Sequence, residues 1–209
     1  MIIPVPSVTG TPAPSGTGTP PAAPNGWSTL DLDGKRERLL TAAAEVFARQ
    51  GIDAPMSEVA DAAGAGVASV YRRFASKREL LAALVVLRLD QIASAARAAV
   101  RDRGDRWSAL TAMLHSLVDR LAADDFLGDA RAAVASHPDV VTATERATEA
   151  LERVLAEARH EGRLRADATT LDLRLLFAAT RAARQVEPEH WPRMLELMID
   201  ALDTQRGPA

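Results

Sequence analysis

The chain has 209 residues, 47% of them apolar, a formal net charge of −3 and no cysteine. That length allows a small head and a larger body, each with a core, and the missing thiols exclude a disulfide framework or a thiolate zinc site. No run of about eighteen apolar residues can span a membrane and no basic stretch precedes an apolar block as in a secretory leader, so a soluble, cytoplasmic protein is expected.

Residues 1–27 carry no charge and hold seven of the twelve prolines. Such a segment buries too little apolar surface to offset ordering, and 1–27 is read as a disordered tail. Without Lys or Arg it is a poor arm for DNA. A helix is predicted over 34–50, with Asp33 as N-cap and Gly51 as C-cap. Leu39, Leu40, Ala43, Val46 and Phe47 give it one apolar face. A short helix follows over 55–63, with Pro55 at its first position, and Gly64 ends it. A third is predicted over 67–74, with Gly66 near its start. Ser76 caps a fourth, running to about residue 100, and Glu79 completes a capping box.

The stretch 60–80 is the centre of the reading. Ala60 is small where two short helices cross, Gly64 allows a left-handed turn, and Val70 is an apolar anchor for the second helix. Short helix, Gly turn and short helix is the helix-turn-helix arrangement that places its second helix in the major groove. From Gly64 to Arg78 there are four bases, Arg72, Arg73, Lys77 and Arg78, and no acid. The net acidity is a weak objection, because screening confines fields to roughly 8 Å at physiological salt. Ala65, Val70 and Phe74 are expected to point inward. Gly66, Val67, Ala68, Ser69, Tyr71, Arg72 and Arg73 remain at the outer side as candidate DNA contacts, with Ser57 at the start of the preceding helix. Tyr71, the chain's only tyrosine, and Lys77 are expected to hold phosphate. A basic residue in a first helical turn opposes the dipole, and a phosphate there removes the penalty. Of the two arginines, Arg73 is favoured as a guanine or phosphate contact because it lies along one face with Ser69.

The rest reads as a helical body. Helices are predicted over 107–122, 126–136, 138–160, 169–184 and 189–203. The breaks fall at Gly104, Asp124-Asp125, His137-Pro138, Gly162 and Glu187-Pro188. Thr169 caps one helix with Asp172 at the capping-box position. No strand pattern appears, so the class is all-α. The domains are drawn as tail 1–27, DNA-binding head 28–77 and helical body 78–209. The four histidines, His115, His137, His160 and His190, lack metal-site spacing. No Gly-rich phosphate loop, nucleophile elbow or His–carboxylate cluster supports an enzyme. No cofactor is expected. Glu145, Glu149, Glu152 and Arg153 read as a solvated helix face.

The segment SEVADAAGAGVASVYRRFASKRELL resembles the N-terminal domain of the TetR family of transcriptional regulators. Gly64, Tyr71 with Phe74, and Ser76-Lys77 fall where that family's pattern has them. Two departures stand out. Ala54-Pro55 replaces the usual Thr or Ser cap of the second helix, and Val67 replaces a polar base-reading residue, leaving apolar contact with thymine methyls. The stretches EGRLRADATTLDL and WPRMLELMIDAL resemble the C-terminal half of the family's SbtR-like branch. The resemblance implies a homodimer through the last two helices and a C-terminal ligand-binding and dimerisation domain. It implies double-stranded operator DNA as partner, and a small-molecule effector that releases a repressor from it. The implied pocket lies in the body, with Leu84, Trp107, Met113, Leu117, Phe126, Val154 and Phe177 as candidates by position. His115 lies on a helix beside that region. Arg174 and Arg181 share a helix and suit an acidic ligand or solvated or intersubunit ion pairs. The other reading is a small-molecule-binding helical protein whose DNA head is no longer used.

Overall fold

The computed structural model describes residues 26–121, 126–186, 189 and 191–206. Most of the expected tail, the Asp124-Asp125 turn and the Glu187-Pro188 break lie outside the described residues. Trp27, assigned to the tail above, opens a 3-10 turn, Trp27–Thr29, and packs against the core.

The head begins with α1, Leu32–Gln50. Asp31 is its N-cap in place of the expected Asp33: its backbone is extended and Oδ1 accepts from the Gly34 N–H at 2.8 Å. Asp33 falls in the first turn, where its charge suits the positive end of the helix dipole. Gly51 closes the helix at φ 79°. In α2, Met56–Ala63, Pro55 is the N-cap, one step before the expected position, and no side chain caps the helix. α3 is Val67–Arg73. Phe74, expected at its end, has left the helix and stays buried. α4, Lys77–Arg101, starts as expected, with Ser76 Oγ accepting from the Glu79 N–H at 3.2 Å.

The body adds α5, Arg106–Leu121, α6, Leu127–Ala133, α7, Pro138–His160, α8, Thr170–Val186, and α9, Trp191–Leu202. No strand occurs among the described residues, so the fold is all-α. α6 is shorter than expected because Val134 leaves helical geometry at φ −120°, ψ 17°. At the head of α8, both the N–H and the hydroxyl of Thr169 donate to Asp172 Oδ2 at 2.7 Å. Those bonds, the side-chain one first, hold the Asp172 carboxyl below the usual carboxylate range. α4 lies along α7, with α5 and α6 beside it and α1 against its start. Head and body share one apolar core. Phe47 of α1 meets Phe126, at the foot of α6, with ring centroids 5.9 Å apart.

A clasp ties the end of α9 to the α7–α8 connection. Asp203 leaves the helix to form a single antiparallel bridge with Leu164. Its carboxylate is 4% exposed as a residue and accepts from Arg163 Nε and Nη2, both at 3.2 Å, and from the Gln205 N–H at 2.9 Å. The Arg163 guanidinium lies 5.3 Å above the Trp107 ring. Replacing Asp203 by Ala strands that cation, and hydrogen bonds to charged groups are worth about 2 kcal/mol. Asp203→Ala is expected to lower Tm by roughly 4–8 °C in calorimetry; an unchanged Tm would remove the clasp from this account.

Candidate nucleic-acid interface

α2 and α3 meet through small side chains, since Ala60 and Ala63 are fully buried. Gly64 takes the left-handed conformation, φ 65° and ψ 33°. Its N–H donates to Asp61 O at 3.0 Å and the Ala65 N–H donates to Ala60 O at 2.8 Å, the double closure of a Schellman turn. Gly66 is different. Its φ is −74°, and a Cβ built there meets nothing within 4 Å.

Val70 and Phe74 anchor α3 inward, and the Arg36 guanidinium lies 5.2 Å above the Phe74 ring. The outer face then carries Val67, Ala68, Tyr71 and Arg72, with Val67 40% and Tyr71 49% exposed. Ser57 on α2 and Gly66 are exposed as well. Ser69 is half-buried, and its Oγ accepts from Arg72 Nη2 at 2.7 Å. Ser69 and Arg73, four positions apart, are both half-buried, and the side chain that bonds Ser69 is Arg72, at the i,i+3 spacing that also makes helix neighbours. Arg73 is half-buried in a cleft of about 410 Å³ with Arg36, Ser76, Glu79 and His137.

Two bases of the patch also serve the fold. Lys77 Nζ donates to Ile52 O in the α1–α2 turn at 3.0 Å. Arg78 Nη2 donates to Ser136 Oγ at 3.0 Å, across to the turn between α6 and α7. Beside it, His137 Nδ1 accepts from the Asp139 N–H at 3.3 Å, which leaves the proton on Nε2, 3.3 Å from Glu79 Oε2. This contact between the head of α4 and the α6–α7 turn was not read from the sequence, where His137 signalled only a break before Pro138.

The body holds a cavity of about 350 Å³ between α4, α6, α7 and α8. Phe177 lines it, with Leu89, Ile92, Leu127 and Leu151. The other expected pocket residues are elsewhere. Met113 borders a groove of about 450 Å³ between α4 and α5, and Leu84 a cleft of about 300 Å³ between α1 and α4. Trp107, Leu117, Phe126 and Val154 are buried core side chains. His115 pairs across to Glu196 of α9, Nε2 to Oε1 3.3 Å. Arg174 lines the cavity, and so does Arg131 of α6, which spacing along one helix does not reveal. Burial, and then the charge of Arg174, lower the Arg131 pKa from the ordinary arginine range. Among the described residues no three His, Asp or Glu converge as for a metal ion, and no helix is long and apolar enough to cross a membrane.

An all-helical body behind an exposed, basic helix-turn-helix defines a DNA-binding transcriptional regulator. The bacterial regulatory proteins of the tetR family match at residues 39–84, and the C-terminal domain of SbtR-like transcriptional regulators at 105–204. The chain belongs to the TetR family. It is 36% identical over 96 residues to the transcriptional activator FasR of Mycolicibacterium smegmatis, spanning 46% of this chain and 44% of that one. A TetR regulatory protein from Mycobacterium vanbaalenii is 33% identical, with 74% of this chain and 93% of that one covered at a TM-score of 0.53. SmeT, the repressor of the Stenotrophomonas maltophilia multidrug efflux pump SmeDEF, is 27% identical, with 80% and 87% covered and a TM-score of 0.58. These relatives are regulators, not enzymes.

The two glycines separate backbone need from surface access. Gly64→Ala forces a Cβ into the left-handed region, at about 1–2 kcal/mol, and is expected to lower Tm by several degrees in a thermal melt. Gly66→Ala fits its backbone angles without strain and loses only the N-cap preference of Gly over Ala, so it is expected to lower Tm less than Gly64→Ala does. Equal melting of the two variants would contradict the assigned backbone roles.

Proposed function

We propose that the chain is a homodimeric regulator that sets α3 of each copy into the major groove of a palindromic operator and is released by a small-molecule effector in the body. The observation that carries the DNA part is the outward face of α3. Gly64 turns it out, Val70 and Phe74 hold it down, and Val67, Ala68, Tyr71 and Arg72 are left free of the core. Val67 and Ala68 suit thymine methyls and Arg72 suits guanine. Ser57, Gly66, Ser69, Tyr71, Arg73 and Lys77 supply or border phosphate contacts, which set affinity and register. One similar protein is named an activator and another a repressor. The repressor reading is the one proposed here, together with release by an effector.

Two further observations support assembly and response. α8 and α9 are apolar on two sides. Leu173, Leu176, Leu195 and Ile199 face the core, while Leu171, Leu175, Met194 and Leu197 are exposed. Such stripes suit a four-helix interface between copies. The cavity touches α6, and the turn after α6 holds Arg78 and Glu79 at the start of α4. An effector that moves α6 therefore reaches the helix that carries the head. Coupling of about 1–3 kcal/mol is the usual scale.

Binding of the cytoplasmic protein to its own upstream DNA across a salt series tests the DNA reading. A steep salt dependence and two subunits per site are expected. Lys77→Gln and Tyr71→Phe are expected to weaken binding to all sequences, and Lys77→Gln to reduce the salt slope by about 0.9. Affinity equal to that for random DNA, at low salt as well, would favour a ligand-binding protein with an unused head. For assembly, Leu175→Glu with Leu197→Glu is expected to turn a dimer into a monomer in sedimentation. A dimer that survives both charges places the interface elsewhere.

A further inference from the structure

The wall of the α4–α6–α7–α8 cavity is apolar except for a few groups, and two of these are cations. Arg131 comes from α6 and Arg174 from α8. Neither has a hydrogen-bond or ion-pair partner among the described residues. Four other arginines of the body do have an acid: Arg146 has Asp90, Arg153 has Glu149, Arg163 has Asp203 and Arg165 has Asp167. A purely structural arginine beside leucines gains by burying its stem and sending its charge to water. Arg174 is exposed and fits that account. Arg131 is half-buried, faces a second positive charge and has no acid to offset it. A cationic guest would be repelled, and a neutral one would leave both positive charges uncompensated. An anion turns the same arrangement into shared, charge-assisted hydrogen bonds.

We infer that this cavity takes an amphipathic acid, with its aliphatic chain among Leu89, Ile92, Leu127, Leu151 and Phe177 and its carboxylate held by Arg131 and Arg174. This deepens the reading of the body as an effector-binding domain and rests on it. The cavity of about 350 Å³ opens to solvent and admits an aliphatic chain of medium length. A saturated ten-carbon acid is a suitable probe of that class. Arg131 places the anion on α6, whose following turn contacts the start of α4 through Ser136 and His137. The charged end of the ligand therefore bears on a helix whose N-cap, Phe126, meets Phe47 of the head.

The test is calorimetric titration of the full chain with decanoate, 1-decanol and decylamine at fixed ionic strength and below micelle formation. Decanoate is expected to bind at least tenfold tighter than 1-decanol, and decylamine not to bind. Arg131→Gln with Arg174→Gln is expected to close the gap by weakening decanoate while 1-decanol holds its affinity. Arg174→Gln alone, at an exposed position that the fold tolerates, is expected to narrow the gap at least threefold. Equal affinities in the parent, no decanoate binding, or a gap unchanged in the Arg174 variant would overturn the inference. Operator binding by the same preparation is read separately. If it persists while decanoate fails, the ligand class is wrong and the regulator stands. If decanoate binds and operator DNA does not, the ligand class stands and the DNA reading falls.

Discussion

The burial of α4 on almost every side is the constraint on which the rest of the molecule depends. Leu80, Leu81, Ala82, Leu84 and Val85 are all buried, and so are Leu89, Ala93 and Ala96 further along. Consecutive buried residues point in several directions around a helix, so no single neighbour can cover them. α1, α5, α6 and α7 all pack against α4. Removing any one of these exposes leucine and valine, at about 25 cal/mol per Å² of apolar surface. Head and body are held together by this shared helix and by the Phe47–Phe126 contact. The same sharing makes α4 the helix that packs on both the head and the body.

Charge at the start of α4 is arranged so that the helix is stable before any DNA arrives. Lys77 in a first turn opposes the dipole by about 0.3–1 kcal/mol. Its hydrogen bond to Ile52 O is of the charged kind, worth about 1.5–3 kcal/mol, so the carbonyl outweighs the dipole. Arg78 is taken up by Ser136, and Glu79 by His137. Of the four bases counted between Gly64 and Arg78, Arg72 is the exposed one on the outer face, held to Ser69. Fixing that guanidinium in advance lowers the entropy lost on binding. The patch is thus smaller than its composition suggests and better ordered.

The features legible in the sequence were those decided within a few residues. Gly51, Gly64, Ser76 and Pro138 each end or start a helix by local backbone chemistry, and all four stand where the spacing put them. The Asp31 and Asp33 choice failed for a local reason as well. Both aspartates precede an amphipathic run, and only the extended backbone at Asp31 brings its carboxylate onto the Gly34 N–H. The cavity was mostly illegible. Helical spacing marks Trp107, Leu117, Phe126 and Val154 as buried, which they are. It does not say which buried side chain borders empty space, because a cavity is a mismatch between helices distant in sequence. Arg131 and Arg174 illustrate this: forty-three positions apart, they meet only through the packing of α6 beside α8.

α8 carries both the outer apolar stripe proposed for assembly and part of the wall of the proposed effector cavity. Its residues divide into three faces. Leu173, Leu176 and Thr180 are buried, Arg174, Phe177 and Ala178 look onto the cavity, and Leu171 and Leu175 are both exposed and part of the cavity lining. In a dimer built on the outer faces of α8 and α9, those two leucines would be covered by the second copy, and the cavity mouth would narrow at the same stroke. A guest that fills the cavity presses on the same side chains from within. Binding and assembly are then linked by mass action: each strengthens the other if the guest prefers the closed mouth, and weakens it if the guest needs the mouth open. On the proposed dimer and effector, the same two leucines serve both roles. An interface alone requires apolar residues on α8, but it does not require them at the edge of a cavity that holds two unpaired arginines.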